Sequence, residues 1–441
     1  MLNLSNAMLW ISFSPIADVT AEFYHVDSMS VNWLSLVYLI ACIPFGVVAS
    51  WLIDSVGLRA SLLTGAVFNI TGCVIRLISG MAFVSNHAFL FAMIGQCLCA
   101  VAQPFILFAP TKMAATWFPD NQRATANTMA SISNPVGILI ANIVSPVIVT
   151  SVKNVPLMLQ IYTGPTALAA VMTIFGVCSS VPPTPPTASA AEISEPFLKG
   201  LKKIVKNRPY WIIFVCFGIG MGLFTTISTY IEQILCPRGY SDKFSGLCGA
   251  LMVGCGILGA GLAGLIVDKT KKFEEVAKIA FLLSALSSIV FSVISKYRDM
   301  DVLIAASIST FGFFGFAVYP VVLELGVECT FPISEGTSGG LINMSGQIIG
   351  VIIMVVVGIV TPKLPESQRI YSCFTGKKSI VPLDFTYTNI GLSVLAVFGA
   401  CVFTIFFKTI YRRLRAEQQV AADKILGYPE HGTIYGPVNS R

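Results

Sequence analysis

The chain has 441 residues, 55% of them hydrophobic and only 11% charged, against about 25% charged in an ordinary soluble domain. Apolar windows of about 20 residues, each enough to cross about 30 Å of hydrocarbon, recur from one end to the other and exclude a water-soluble globule. Twenty-eight Lys+Arg against 22 Asp+Glu leave a formal charge of only +6; the basic residues sit at the ends of apolar runs without interleaved aromatics, which argues against nucleic acid as a partner.

In chain order, the hydrophobic pattern predicts twelve membrane helices. They fall near residues 2–20, 33–53, 60–81, 88–110, 124–149 and 157–178, then 209–231, 244–267, 275–295, 301–323, 336–360 and 387–408. The first begins almost at Met1 with no basic flank, and Asp18 and Glu22 follow soon after, so the start is expected to be internal to a longer protein. A signal peptide is not expected, since a positive n-region and a cleavage site are both missing. Asn3, Asn69 and Asn343 match the glycosylation pattern but fall inside predicted helices. Arg76, near the end of the third helix, is expected to snorkel toward water and is not assigned to an anionic solute.

Between the sixth and seventh helices, residues 179–208 open with Ser-Ser-Val-Pro-Pro-Thr-Pro-Pro-Thr and close with Lys199, Lys202, Lys203, Lys206 and Arg208. The prolines cannot continue a helix, and the basic cluster marks a cytoplasmic face by the positive-inside rule. Sixteen basic residues fall on this linker's side, among them Arg59, Lys112, Arg123, Lys269 and Arg412, and nine on the opposite side. Both termini are therefore expected in the cytoplasm. The expected organisation is a six-helix bundle over 1–178, a linker over 179–208, a second six-helix bundle over 209–410 and a cytoplasmic tail over 411–441.

The halves repeat at an offset of 213 to 214 residues. Asp54-Ser-Val-Gly57-Leu-Arg59 follows the second helix and Asp268-Lys-Thr-Lys-Lys272 the eighth; Trp117-Phe118-Pro119 corresponds to Thr330-Phe331-Pro332, Thr125 to Ser338, Asn134 to Gln347 and Gly137 to Gly350. Such a repeat argues for two pseudo-symmetric bundles of an alternating-access carrier. A duplicated scaffold without transport is the bland alternative. The twelve cysteines show no metal spacing, and Cys73, Cys97, Cys99, Cys178, Cys216, Cys255 and Cys401 lie in apolar runs as small buried hydrophobes. With neither zinc signature, phosphate loop nor nucleophile elbow, no enzyme chemistry, cofactor or metal is expected.

The acid and arginine of Asp54-Ser-Val-Gly57-Leu-Arg59 resemble the loop signature of the major facilitator superfamily. Ser5-Asn6-Ala7-Met8-Leu9-Trp10, Asn32-Trp33-Leu34-Ser35, Gly95-Gln96, Ala102-Gln103, Val267-Asp268-Lys269-Thr270-Lys271 and Glu335-Gly336-Thr337-Ser338-Gly339-Gly340-Leu341-Ile342-Asn343 resemble solute carrier family 49, the feline leukaemia virus subgroup C receptor family. The resemblance spans nearly all of residues 1–415. It implies an all-α, twelve-helix major facilitator fold and a small organic solute, since members carry choline and ethanolamine and have been assigned haem export. By the same resemblance Trp10 matches a first-helix tryptophan that faces bound quaternary ammonium, Gln347 an eleventh-helix glutamine, and Glu324 an acid of the tenth helix. Two cavity positions depart from the family: its fifth-helix glutamine is Pro135 here and its seventh-helix tyrosine is Thr225, so choline is not carried over by name.

At about 1.5 Å per residue, Trp10 lies about 12 Å inward of Asp18, Gln347 about 15 Å from its helix start and Gln96 about 13 Å from the outer loop. These depths agree. Trp10, Gln96, Asn134, Thr225, Glu324, Asn343 and Gln347 are therefore the candidate solute residues. Without the resemblance, Trp10 is equally a packed or lipid-facing aromatic and Gln347 an interhelical hydrogen-bonding group. Glu324 and Glu328 stand four apart on one helical face, where Glu324 could take a proton or coupling cation or belong to a gate. Asp54, Arg59, Lys112, Arg123, Asp268, Lys269 and Glu328 are the candidate gate residues, with Arg123 or Lys112 as possible partners for the acids. Gly254, Gly256, Gly259, Gly261 and Gly264 crowd the eighth helix, and Gly346 with Gly350 the eleventh, where small residues permit close approach. Pro135 and Pro146 interrupt the fifth. The expectation is a monomeric plasma-membrane carrier; a porphyrin transporter and a non-transporting receptor are the alternatives.

Overall fold

The computed structural model describes residues 1–81, 87–118, 120–183, 202–331, 333, 335–365 and 382–411. The first crossing comes in two pieces, α1 (Leu2–Ile11) and α2 (Ala17–Tyr24), joined by a 3-10 turn over Ser14–Ile16. Next come α3 (Ser28–Ser55), α4 (Leu58–Ser79), α5 (Ala88–Leu107) with its continuation α6 (Ala109–Trp117), α7 (Asp120–Ile148) and α8 (Val155–Gly176). The second half holds α9 (Arg208–Leu235), α10 (Asp242–Thr270), α11 (Phe273–Ile294), α12 (Asp301–Thr330), α13 (Glu335–Val360) and α14 (Thr386–Phe406). Eleven spans among the described residues are long and apolar enough to cross a membrane. Residues 2–24 make the twelfth crossing, about 35 Å long at ~1.5 Å per residue. The expected twelve-helix architecture is present, but its first member is broken where the sequence pattern suggested one continuous helix.

Polar side chains start several of these helices by taking otherwise unpaired amides. Asp27 accepts from Ser30 N at 3.0 Å to open α3, Asn207 from Tyr210 N at 3.3 Å to open α9, and Ser241 from Phe244 N at 3.3 Å to open α10. The α3–α4 turn is tight and places Gly57 at φ 119°, a region that favours glycine. Ser180, at the start of the linker, accepts from Arg59 N at 3.1 Å and so rests on that turn. The expected tail from residue 412 and linker residues 184–201 lie outside the described residues.

The two halves pack alike. The α1–α7, α3–α5, α4–α5 and α4–α8 contacts of the first bundle reappear in the second as α9–α13, α10–α12, α11–α12 and α11–α14. Glycine sets the closest of them: an added Cβ on Gly72 would sit 2.5 Å from Gly95 O, and one on Gly259 or Gly312 would strike the backbone carbonyl of Phe313 or Met252. Of the predicted small-residue stripe in α10, Gly256 and Gly259 face α12 and Gly254 faces Leu139, whereas Gly261 and Gly264 meet open space.

Between bundles, α7 meets α10 and α3 meets α13, again a symmetric pair. One hydrophobic core joins both bundles on the face opposite the linker, with Leu34, Leu39 and Ala141 of the first half beside Ile231, Cys248 and Met354 of the second. Toward the linker face the cores separate. Leu2, Ala66, Ile106 and Ala169 form one in the first bundle, while Ile213, Val267, Val321 and Phe403 belong to another in the second. Among the described residues, the bundles share one apolar core on the far face and hold separate apolar cores on the linker face.

Two substitutions distinguish packing within a bundle from packing between bundles. Gly259→Val overpacks α10 against α12 and should cost about 1–3 kcal/mol, seen as a lower melting temperature in detergent. Gly246→Val strikes the carbonyl of Asn142 across the α7–α10 seam, so it should part the far halves and expose buried Cys248 to maleimide, read by peptide mass. Labelling of Cys248 that is no faster in Gly246→Val than in Gly259→Val would contradict this division.

Candidate functional site

The break in the first crossing follows from Ser12-Phe13-Ser14-Pro15. Pro15 has no amide hydrogen and its ring crowds the carbonyl four residues earlier, so α1 stops at Ile11 and leaves its last carbonyls without helical donors. Side chains from two other helices supply them. Arg76 of α4 donates through Nη1 to Leu9 O at 3.1 Å and through Nη2 to Ser12 Oγ at 2.6 Å, with its guanidinium 4.7 Å from the Phe13 ring centroid. Gln96 of α5 donates through Nε2 to Leu9 O at 3.2 Å and Trp10 O at 3.4 Å. Arg76 is 1% exposed and Gln96 0%. The expectation that Arg76 snorkels is thus corrected: the bare carbonyls of the broken helix are nearer and stronger acceptors than distant water. Gln96 likewise turns its amide onto backbone, although its Oε1 stays without a partner.

The broken segment also links the bundles. Ser14 donates from Oγ to Ser228 O at 2.8 Å and Thr229 O at 2.6 Å, two carbonyls of α9. Asn32 and Gln233 exchange amide hydrogen bonds at 3.2 and 2.6 Å. Just beneath these contacts, the Trp10 Nε1–H donates to Ser35 O at 3.2 Å, and the ring is fixed against α3. Leu39, one turn along α3 from Ser35, packs against Gly350 of α13, and Thr225 Oγ1 approaches the same glycine. Gln347 is three residues before Gly350 in α13, half-buried and without a hydrogen-bond partner among the described residues. Thr225 thus meets Gly350 at the seam, and Gln347 lies about one turn from that contact toward the linker face, inward of the Trp10–Ser35 bond.

The other candidates are placed differently. Asn134 donates to Asn3 Oδ1 at 3.0 Å and so ties α7 to α1 within the first bundle. Asn343 accepts from Tyr319 OH at 3.0 Å and donates to Gly339 O at 3.1 Å, both inside the second bundle. Glu324 is half-buried, and Glu328, one turn on, is buried near the linker-side end of α12. Arg59, Lys112 and Lys269 are exposed; the side chains of Asp54, Arg123 and Asp268 lie outside the described residues. An apolar cavity lined by Phe217, Phe224, Phe281, Phe311 and Phe316 lies within the second bundle and contains no candidate residue. Asn3 and Asn69 are buried in helices, and Asn69 accepts from Asn6 at 2.9 Å, so neither offers a glycosylation surface. The residues missed in the sequence, Arg76 as a cap and Ser14 as a cross-bundle donor, had one signal: a Ser-Pro pair interrupting an apolar helix at the depth of an intramembrane arginine.

Removing the cap tests this arrangement. Arg76→Met takes the charged donor from Ser12 Oγ and from Leu9 O, which keeps Gln96 and the Ser12 hydroxyl, and should destabilise the fold by about 3 kcal/mol, given about 1.5–3 kcal/mol for a hydrogen bond to a charged group. Arg76→Lys, with one ammonium in place of a fork, should fall between Met and the parent in detergent melting temperature. Equal melting temperatures for all three would show that the guanidinium does not hold the break.

The comparisons with known proteins agree with this architecture. Residues 1–355 match the model of the Major Facilitator Superfamily. The chain is 46% identical over 422 residues to "Solute carrier family 49 member A3" of Xenopus tropicalis, covering 95% of this chain and 87% of that protein. It is 31% identical over 414 residues to "Choline/ethanolamine transporter FLVCR1" of Felis catus, covering 89% and 73%. In three dimensions it resembles the nucleoside transporter NupG with a TM-score of 0.63 at 15% identity, over 93% of this chain and 98% of that one. These are carriers and not enzymes. The symmetric bundles, the broken first crossing and these likenesses together show that the chain belongs to solute carrier family 49 of the major facilitator superfamily.

Proposed function

We propose that this multi-pass membrane protein carries a small organic cation by rocking residues 1–178 against residues 209–410, with the solute held between Trp10 and Gln347. The observation that carries the reading is the division of the core. One apolar core joins the bundles on the far face and two separate cores serve them on the linker face, as one end state of alternating access requires. Trp10 presents a ring already fixed by its bond to Ser35, and Gln347 carries a half-buried amide one turn from the Gly350–Thr225 contact of the seam. A tryptophan face attracts a desolvated cation by about 2 kcal/mol.

The relative named as a choline/ethanolamine transporter supports an ammonium headgroup as the solute's recognised part. Thr225 in place of an aromatic residue thins the opposite wall and favours a headgroup with more bulk or with hydrogen-bonding substituents. Cys236, on the turn after α9, is disulfide-bonded, which fits an oxidising compartment at the far face. With the basic linker opposite, the proposal puts both termini in the cytoplasm and the far face outside the cell, in a monomer.

Direct binding tests the site. Full-length protein in nanodiscs would be screened against choline, ethanolamine, haem and a broader cation panel by thermal shift, then measured by calorimetry. Trp10→Ala should weaken the best ligand by about 30-fold, as ~2 kcal/mol implies, and Trp10→Phe by less because a weaker aromatic face remains. Gln347→Ala should weaken it too, and the double variant should be non-additive if both residues touch one molecule. Unchanged affinity in folded Trp10→Ala and Gln347→Ala would remove this site.

A further inference from the structure

Above the solute level, the far face carries a polar group that the proposed solute site does not use. Asp18 lies in the first turn of α2, Glu232 in the last turn of α9, and Asp242 begins α10. Three separate segments thus converge, one from the first bundle and two from the second. Carboxylate oxygens of all three lie within 4.8 Å of one another. Glu232 is 0% exposed, and neither of its oxygens has a hydrogen-bond partner. Asp18 Oδ1 accepts from the adjacent Val19 amide at 2.6 Å. The charges acting on Glu232 are Asp18 and Asp242, both acidic, and Glu22 acts on Asp18. One turn deeper, each acid has a hydroxyl on its own segment: Ser14 before Asp18, Ser228 and Thr229 before Glu232, and Ser245 after Asp242. The hydroxyls of Ser228, Thr229 and Ser245 are buried without partners.

A wholly buried carboxylate with both oxygens bare, facing two more acids, is tolerated only when a proton or a bound cation offsets its charge. We propose that Asp18, Glu232 and Asp242 bind a divalent, oxygen-seeking cation of calcium size, which clasps the two bundles on the far face. The donor set is all oxygen, the chemistry that suits calcium, magnesium or manganese over zinc or copper. Hydration narrows the choice. Magnesium gives up its water reluctantly and is seldom held by protein oxygens alone, whereas calcium takes six to eight oxygens in a flexible shell. Oxygens within 4.8 Å of one another lie close enough to share one such ion. Because Asp18 belongs to one bundle and the other two acids to its partner, the full site exists only while the far face is closed. Binding therefore favours that closed form, and opening releases the ion.

The test uses the full-length protein in detergent after treatment with chelator, with calcium itself as probe. Equilibrium dialysis against radioactive calcium should show saturable binding in the range of about 0.1–1 mM common to weak oxygen sites, and added calcium should raise the melting temperature more than magnesium does. Glu232→Gln keeps the side-chain shape and should abolish both responses, while its melting temperature in chelator equals or exceeds that of the parent because like charges are relieved. Asp242→Asn, at a half-buried position, should behave in the same way and serves if Glu232→Gln does not fold. Absence of calcium binding by the parent up to about 10 mM, well above that range, would overturn the proposal. So would a calcium response that survives in the folded variant, or a melting temperature that follows pH but not calcium, which would indicate a shared proton.

Discussion

The broken first crossing is the constraint on which the rest of this architecture depends. Pro15 ends α1 in the middle of an apolar segment and would leave carbonyls bare in a medium without water, where each costs several kcal/mol. Arg76 and Gln96 remove that cost from two directions. The result is a rigid kink held by α4 and α5, with Trp10 on one side of it and Ser14 on the other. Trp10 is aimed by its bond to Ser35 and Ser14 by its bonds to α9, so one interruption positions both the proposed solute ring and a contact between bundles.

The shared core runs inward past that kink through Ala7, Leu39 and Ile219 before two separate cores take over. Outward of it, Asn32–Gln233 and the Gly246–Asn142 contact join the halves, and inward of it the Leu39–Gly350 contact does so. Most are backbone approaches or single side-chain pairs, which separate at modest cost compared with the continuous intrabundle packing of α4 on α5 or α10 on α12. Rigid bundles that share one apolar core on a single face, with glycine at the closest approaches, are suited to rocking. A solute bridging Trp10 and Gln347 would act at the edge of that seam, where a small contact has most leverage on the equilibrium between open and closed forms.

Much of the fold is legible in the sequence because twelve apolar runs and a repeated acid–basic turn are local signals. The boundaries move where polar residues continue a helix: the seventh segment, expected to end near residue 231, runs on through Glu232 and Gln233 to Leu235. The site is only partly legible, because depth along a helix says nothing about the direction of a side chain. Thr225 does reach the seam, against Gly350 one turn from Gln347. Gln96 and Asn134, at suitable depths, turn instead to the backbone of α1 and to Asn3. Arg76 escapes a sequence reading because its acceptors lie more than sixty residues away and exist only once the helix has broken. Asp18 sits more than two hundred residues before Glu232 and Asp242, and only the closed far face brings it to them.

Transport itself is the claim from which the other readings take their meaning. Purified full-length protein reconstituted into proteoliposomes, with folded state checked by melting, would be assayed for uptake of radiolabelled choline, ethanolamine and a panel of larger ammonium solutes. The account predicts saturable uptake of at least one of them, lost in Trp10→Ala while the protein stays folded. Folded protein that moves none of the panel, and none of the non-cationic solutes run beside it, would contradict a carrier built around Trp10 and Gln347.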